Sequence, residues 1–100
     1  MLHTVNKSPF DKNSLETCLR LASAGNAVLL FEDGVYGAVK GTRFEPTVSN
    51  ALSNNKIYVL ASDLEARGMN KDNVIDGVET VDYAGFVDLV ADNKSVQAWL

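Results

Sequence analysis

One hundred residues suit a single domain, and 46% hydrophobic with 22% charged residues describes an ordered globular chain rather than a disordered one. Nine Lys and Arg stand against thirteen Asp and Glu, a net charge of −4, so no basic stripe exists and direct nucleic-acid binding is disfavoured. One cysteine and one histidine exclude an internal disulfide and a four-ligand zinc site, so no metal is expected.

Leu2-His3-Thr4-Val5 alternates apolar and polar residues, which predicts a short first strand. His3 within it is expected to be packed or hydrogen-bonded, because no nucleophile or acid partner lies near it to make it a catalytic base. Asn6 to Lys12 is a turn-forming loop punctuated by Ser8-Pro9. It leaves the carboxyl end of the first strand, where Lys7 is either a solvated loop lysine or an anion contact.

Asn13 is placed as a helix N-cap, with Glu16 three residues on to complete a capping box. Leu15, Cys18, Leu19 and Ala22 then follow at i, i+3, i+4 and i+7 and define one helical face, with Gly25 as the stop. Cys18 flanks the centre of that stripe, so spacing predicts a small buried hydrophobe.

Ala27-Val28-Leu29-Leu30-Phe31 is an apolar run closed by Glu32-Asp33-Gly34, as expected of a strand buried on both faces. In open α/β sheets ligands and partners gather beyond the carboxyl ends of the strands. Phe31 to Tyr36 is therefore the expected functional edge, with Asp33, Gly34 and Tyr36 as its candidates beside Lys7. A short helical segment is expected over Val35 to Lys40. Gly34, Gly37 and Gly41 do not make a dinucleotide fingerprint, and the acidic Glu32-Asp33 pair stands where a pyrophosphate would approach.

Glu45 to Asn55 is a second crossover helix, with Pro46 in its first turn and Val48, Ala51 and Leu52 at helical spacing. Lys56 to Ala61 is the next buried strand. Ser62 or Asp63 is expected to cap a short helix through Arg67, closed by Gly68. Met69 to Asp76 is a polar connection, and Val78 to Val81 alternates as a fourth strand. Asp82 caps a last helix whose Tyr83, Phe86, Val87 and Val90 form an apolar stripe. The tail Ser95 to Leu100 is a fifth edge strand or a partner anchor, and its apolar Trp99 and Leu100 are the candidate interface. Strand and helix alternate throughout, so the expected class is α/β: a three-layer α/β/α sandwich around a mostly parallel sheet of four or five strands. No apolar run approaches the roughly 20 residues that span a bilayer. Met1 to Val5 lacks a basic segment followed by an apolar one, so a cytoplasmic location is expected.

Several of these segments are shared with a known family. The opening Met1 to Phe10, Leu29 to Tyr36, Asp63-Leu64-Glu65-Ala66-Arg67-Gly68, Val81-Asp82-Tyr83 with Phe86-Val87, and Gln97-Ala98-Trp99 together resemble the DsrH/TusB family over the full length. The resemblance implies a DsrE-like fold and a place in a sulfur relay. There the chain would join DsrE/TusD-like and DsrF/TusC-like sisters in a heterohexamer with two copies of each. Sulfur would pass as a cysteine persulfide to a DsrC/TusE-like acceptor, for sulfur oxidation or for 2-thiolation of a tRNA wobble uridine. The principal sulfur-carrying cysteine of such complexes lies on the DsrE/TusD-like sister. Cys18 stands where DsrH-type members carry a helix cysteine, so the resemblance admits it as a secondary persulfide carrier. Together with the Asn6-Lys7-Ser8-Pro9-Phe10 opening, it favours the sulfur-oxidation branch. Persulfide exchange needs an accessible thiolate, and nothing in the sequence around Cys18 supplies a cation on its own helix face. No cofactor is implied. The competing class is a small flavodoxin-like module for a nucleotide or flavin, which rests on fold analogy alone.

Overall fold

The computed structural model describes all 100 residues, arranged around one five-stranded, all-parallel sheet. In chain order the elements are β1 (Leu2–Val5), α1 (Ser14–Leu21), β2 (Ala27–Leu30), a 3-10 helix (Glu32–Ala38), α2 (Glu45–Ala51), β3 (Lys56–Leu60) and α3 (Ala61–Ala66). A 3-10 turn (Lys71–Asn73), β4 (Glu79–Val81), α4 (Tyr83–Asp92) and β5 (Val96–Trp99) complete the chain. The strand order is β4-β3-β2-β1-β5. The first three crossovers all step toward β4, and the fourth returns across the sheet to β5. Right-handed connections therefore put α1, α2 and α3 on one face and α4 alone on the other. The result is the expected α/β/α sandwich around a parallel sheet.

Strand parity assigns the two faces. His3, Val5, Val28, Leu30, Ile57 and Val59 share register rows and point toward α1 to α3. Most of them join Leu15, Cys18, Val48 and Leu64 in one buried apolar cluster. Leu2, Thr4, Leu29 and Leu60 point toward α4 and are buried as well. The central strands are thus covered on both sides, which is why their sequences are runs rather than alternations.

Five sequence expectations change in detail. Asn13 occupies the cap position of α1, but its side chain makes no cap hydrogen bond. The chain reaches it through a turn in which Asp11 and Lys12 both donate to the Ser8 carbonyl, leaving Asn13 at φ −93°, ψ 17° rather than in the extended geometry a cap needs. The helical segment after β2 is a 3-10 helix that begins at Glu32 instead of Val35. Neither Ser62 nor Asp63 caps α3, because that helix starts at Ala61 directly off β3. The connection after α3 is less polar than expected, since Val74 and Ile75 are buried in it.

The fifth change concerns α4. Asp82 caps it as expected, accepting from the Gly85 amide at 2.8 Å. Its apolar stripe does not face the sheet. Only Phe86 of the four is partly buried, while Tyr83, Val87 and Val90 are 69%, 51% and 40% exposed. The inward side is made of Gly85, Phe86, Leu89 and Asn93, and no residue of α4 is fully buried.

At the end of β2 the chain passes close over the end of β1. A Cβ built on Gly34 would overlap the Val5 carbonyl oxygen and crowd the neighbouring backbone. The clash is with main chain, which cannot rotate away, so the position demands glycine. Gly34→Ala is expected to lower unfolding free energy by about 1–3 kcal/mol, the usual cost of overpacking, measured by urea denaturation. A fully stable alanine variant would show that the two backbones separate freely.

Candidate functional site

All five strands end on one edge of the sheet, and that edge gathers Asn6-Lys7, Phe31-Glu32-Asp33, Ala61-Ser62-Asp63, Asp82-Tyr83 and Leu100. The turn after β2 is its centre. Glu32 has φ 48°, the only positive-φ residue other than glycine, in a region that disfavours side-chain-bearing residues. Four hydrogen bonds hold it. The Phe31 and Gly34 amides donate to the Val5 and Phe31 carbonyls at 3.1 and 2.9 Å. The Glu32 amide donates to Asp63 Oδ2 at 2.6 Å, and Asn6 Nδ2 donates to Glu32 Oε1 at 3.3 Å.

Asp33 is tied down as well. Arg67 Nε and Nη2 both donate to Asp33 Oδ1, at 3.1 and 2.9 Å, and Nη1 donates to the Asp63 carbonyl at 2.9 Å. One arginine on the end of α3 thus ties the turn after β2 to the first turn of α3. The pair is too exposed to add much stability, about 0–1 kcal/mol, but it sets where Asp33 points. Asp63, expected as a helix cap, and Arg67, read as the end of that helix, are the residues of this edge whose roles sequence reasoning missed. Their roles depend on contacts across about 30 residues of chain, for which spacing carries no signal.

The other predicted residues are distributed as follows. Lys7 is exposed and forms no ion pair. Tyr36 is half-buried on the 3-10 helix, and Gly34 is buried against β1. Phe31 continues the edge toward α4: its ring meets Phe86 edge-on at 6.0 Å, and Phe86 stacks on Tyr83 at 5.7 Å. No three His, Cys, Asp or Glu side chains come together as a metal-binding group.

Trp99 is turned inward. Its indole Nε1 donates to His3 Nδ1 at 3.1 Å, and the other ring nitrogen, Nε2, lies 3.0 Å from Asn26 Oδ1. An indole N–H only donates, so Nδ1 must accept and Nε2 carries the proton. This fixes His3 as a buried, satisfied neutral imidazole, and the C-terminal tail is the fifth strand, paired with β1. Leu100, by contrast, is 80% exposed.

Cys18 lies away from this edge, fully buried between α1 and the sheet. Burial pushes its thiol from an ordinary 9.0 up to about 12. Thiolate chemistry asks for exposure and a lowered pKa, and the site offers neither.

Comparison with known proteins agrees with this architecture. The family model described as "DsrH like protein" matches residues 7–96. Proteins named TusB from Shigella flexneri and from Escherichia coli O81 are each 38% identical over 99 residues, covering 99% of this chain and all of theirs. This chain belongs to the DsrH/TusB family. Family membership carries the coarse functional class, a subunit of a sulfur relay serving tRNA thiolation or sulfur oxidation. Among solved structures, the ychN protein of E. coli superposes with a TM-score of 0.82 at 19% identity, covering 97% of each chain. A protein of unknown function from Methanobacterium thermoautotrophicum, MTH1491, gives 0.75 at 16% identity over 97% of this chain and 96% of its own. These likenesses establish the fold. No helix of this DsrH/TusB chain is long and apolar enough to cross a membrane.

Two outcomes follow from the geometry. Trp99→Phe leaves the buried His3 Nδ1 without its donor and is expected to cost about 1–3 kcal/mol in chemical denaturation. A loss within error would mean that the indole bond is not made in solution. The second concerns Cys18. Between pH 9 and 12 the unfolded chain has released its thiol proton and the folded chain retains it. The unfolded state then binds fewer protons, so stability falls as pH rises. Relative to Cys18→Ala, the parent chain is expected to lose about 1.4 kcal/mol per pH unit above pH 9, read by urea melts of both. Parallel pH profiles would place the thiol in solvent.

Proposed function

We propose that this chain is a non-principal, scaffolding subunit of a sulfurtransferase complex, docked with DsrE/TusD-like and DsrF/TusC-like sisters in a cytoplasmic heterohexamer with two copies of each. Sulfur moves through that complex as a persulfide on a sister's cysteine and leaves to a DsrC/TusE-like acceptor. The supporting observation is the full-length 38% identity to TusB proteins, joined to a chain whose only thiol is buried. With one Cys, one His and no metal-binding cluster, the chain brings no exposed sulfur nucleophile of its own.

In this reading Cys18 is a core residue and not a carrier. The match of Cys18 and of the Asn6 to Phe10 opening to DsrH-type members still favours sulfur oxidation, while the TusB name of the relatives supports the tRNA-thiolation branch. The carboxyl edge bears Glu32, Asp33 and Asp63, carboxylates that repel phosphate. A flavin or nucleotide therefore gains no support there.

The test is sulfur loading of the assembled complex. The three chains are co-purified, treated with a persulfide donor and weighed intact. Added sulfane sulfur is expected on the DsrE/TusD-like sister and none on this chain, and Cys18→Ala is expected to transfer sulfur to the acceptor at an unchanged rate. A 32 Da gain on this chain that disappears in Cys18→Ala would make it a carrier and overturn the scaffold assignment. Failure of the chains to co-purify would overturn membership in the complex.

A further inference from the structure

The chain's only histidine and its only tryptophan are bonded to each other, and the relay reading uses neither. His3 is buried, and its tautomer is fixed from both ends. The Trp99 indole only donates, so Nδ1 accepts. Asn26 Oδ1, 3.0 Å from Nε2, also accepts from the Ser23 amide at 3.3 Å. Asn55 Nδ2 holds that turn in place, donating to the Ser23 and Asn26 carbonyls at 2.8 and 3.1 Å. The atom of Asn26 that meets the ring is therefore an oxygen, and the ring proton sits on Nε2.

With both ring nitrogens committed, a second ring proton has no place. Added at Nδ1, it would face the indole N–H, donor against donor. No carboxylate stands by to hold the imidazolium, and neither ion pair of the structure involves His3. The inward side of α1 brings only the Cys18 thiol, which burial keeps protonated, while Glu16 and Arg20 of that helix are exposed. Strands β2 and β5 carry no charged residue, and Lys94 ahead of β5 is exposed. Lys56 of β3 lies in the Leu2 row, which faces α4. The Met1 amino group before β1 is the remaining ionisable neighbour, and a cation there does not stabilise another.

Strand β5 is the element that such a proton releases most easily. It is an edge strand of four residues, three of them exposed, and Trp99 is its one side chain packed on the core cluster. Short edge elements of this kind open well below the free energy of global unfolding. Trp99 shares the α1 face with His3, the two ring centroids 6.2 Å apart. The indole that must move is thus the one that pins the strand.

We infer that the Trp99–His3–Asn26 chain is an acid-sensitive latch: proton uptake by His3 releases the Trp99 end of β5 and uncovers the pairing edge of β1. The latched form cannot take the proton without losing the indole bond and the open form can, so acid favours the open form. The inference stands on the folded chain alone and is independent of the relay reading.

The experiment follows the full-length chain over about pH 5–8, the interval in which imidazoles as a class change charge. With one residue of each kind, ring-nitrogen NMR reports His3 alone and selectively excited indole emission reports Trp99 alone. Amide exchange is expressed as protection factors, which removes the intrinsic pH dependence of exchange. In the parent, protection of the β5 amides is expected to fall about tenfold or more on acidification. Indole emission is expected to move to the red, while β2 and β3 keep their protection. His3→Asn leaves an amide oxygen near the Nδ1 position to accept from the indole and has no ring to protonate, so its β5 protection is expected to be flat with pH. Trp99→Phe is expected to be flat as well, and low throughout. An Nδ1–H resonance at neutral pH, or unchanged β5 protection in the parent, overturns the latch. The same acid loss in His3→Asn assigns the transition to another group and overturns it too, as does simultaneous loss in every strand, which is global unfolding. Should His3→Asn not fold, the parent decides alone: ring protonation and β5 opening must share one midpoint, and separate midpoints overturn the inference.

Discussion

The constraint from which most of this structure follows is the single reversal in strand order. Three crossovers that step in one direction place three helices on one face, and handedness leaves the returning crossover to cover the other face alone. Face one becomes a deep core in which Val5, Val28, Leu30 and Val59 meet Leu15, Val48 and Leu64. Face two has a ten-residue helix over a five-stranded sheet. The central rows, Leu29 and Leu2, are still sealed, but nothing further packs on the outside of α4. The asymmetry between the faces is topological before it is chemical.

That asymmetry also explains where the sequence was legible. The runs read as Ala27 to Phe31 and Lys56 to Ala61, the helical spacing of Leu15 and Cys18, Pro46 in the first turn of α2 and the Asp82 cap all act over a few residues, and each appears in the structure, the two strands ending one residue earlier than read. Sequence spacing fixes a periodicity but not which side of an element meets the sheet. In α1 the apolar stripe is narrow and its direction is unambiguous. In α4 apolar residues lie on nearly every side, so Tyr83, Phe86, Val87 and Val90 formed a stripe on paper while Phe86, Leu89 and Asn93 formed the inner face in space. The excess of apolar residues around α4 was itself the sign that one stripe could not account for them.

The position of Asp33 and Gly34 at the carboxyl ends of the strands followed from the general behaviour of parallel sheets, and the wiring between the segments there did not. Asp33 and Gly34 could be singled out because an acidic-glycine break follows a buried run. That Gly34 must pass within contact of Val5, that Asp63 would hold the Glu32 amide, and that Arg67 would clasp Asp33 are properties of segments about 30 residues apart. They emerge only once β1, β2 and β3 are laid side by side. The same holds for His3, whose neutrality is set by an indole 96 positions away.

Burial of the one thiol and exposure of the one apolar helix are complementary facts. The interior accepts Cys18 because a protonated thiol packs like a small hydrocarbon, and desolvation then holds the proton on it far above neutral pH. A group held that way is a poor nucleophile for thiol exchange. The chain's exposed apolar surface lies on α4 and is linked through Tyr83, Phe86 and Phe31 to the strained turn at Glu32. Phe86 packs against Tyr83 on the exposed flank and against Phe31 at the carboxyl edge, so the position of the helix and the geometry of that edge are mechanically linked.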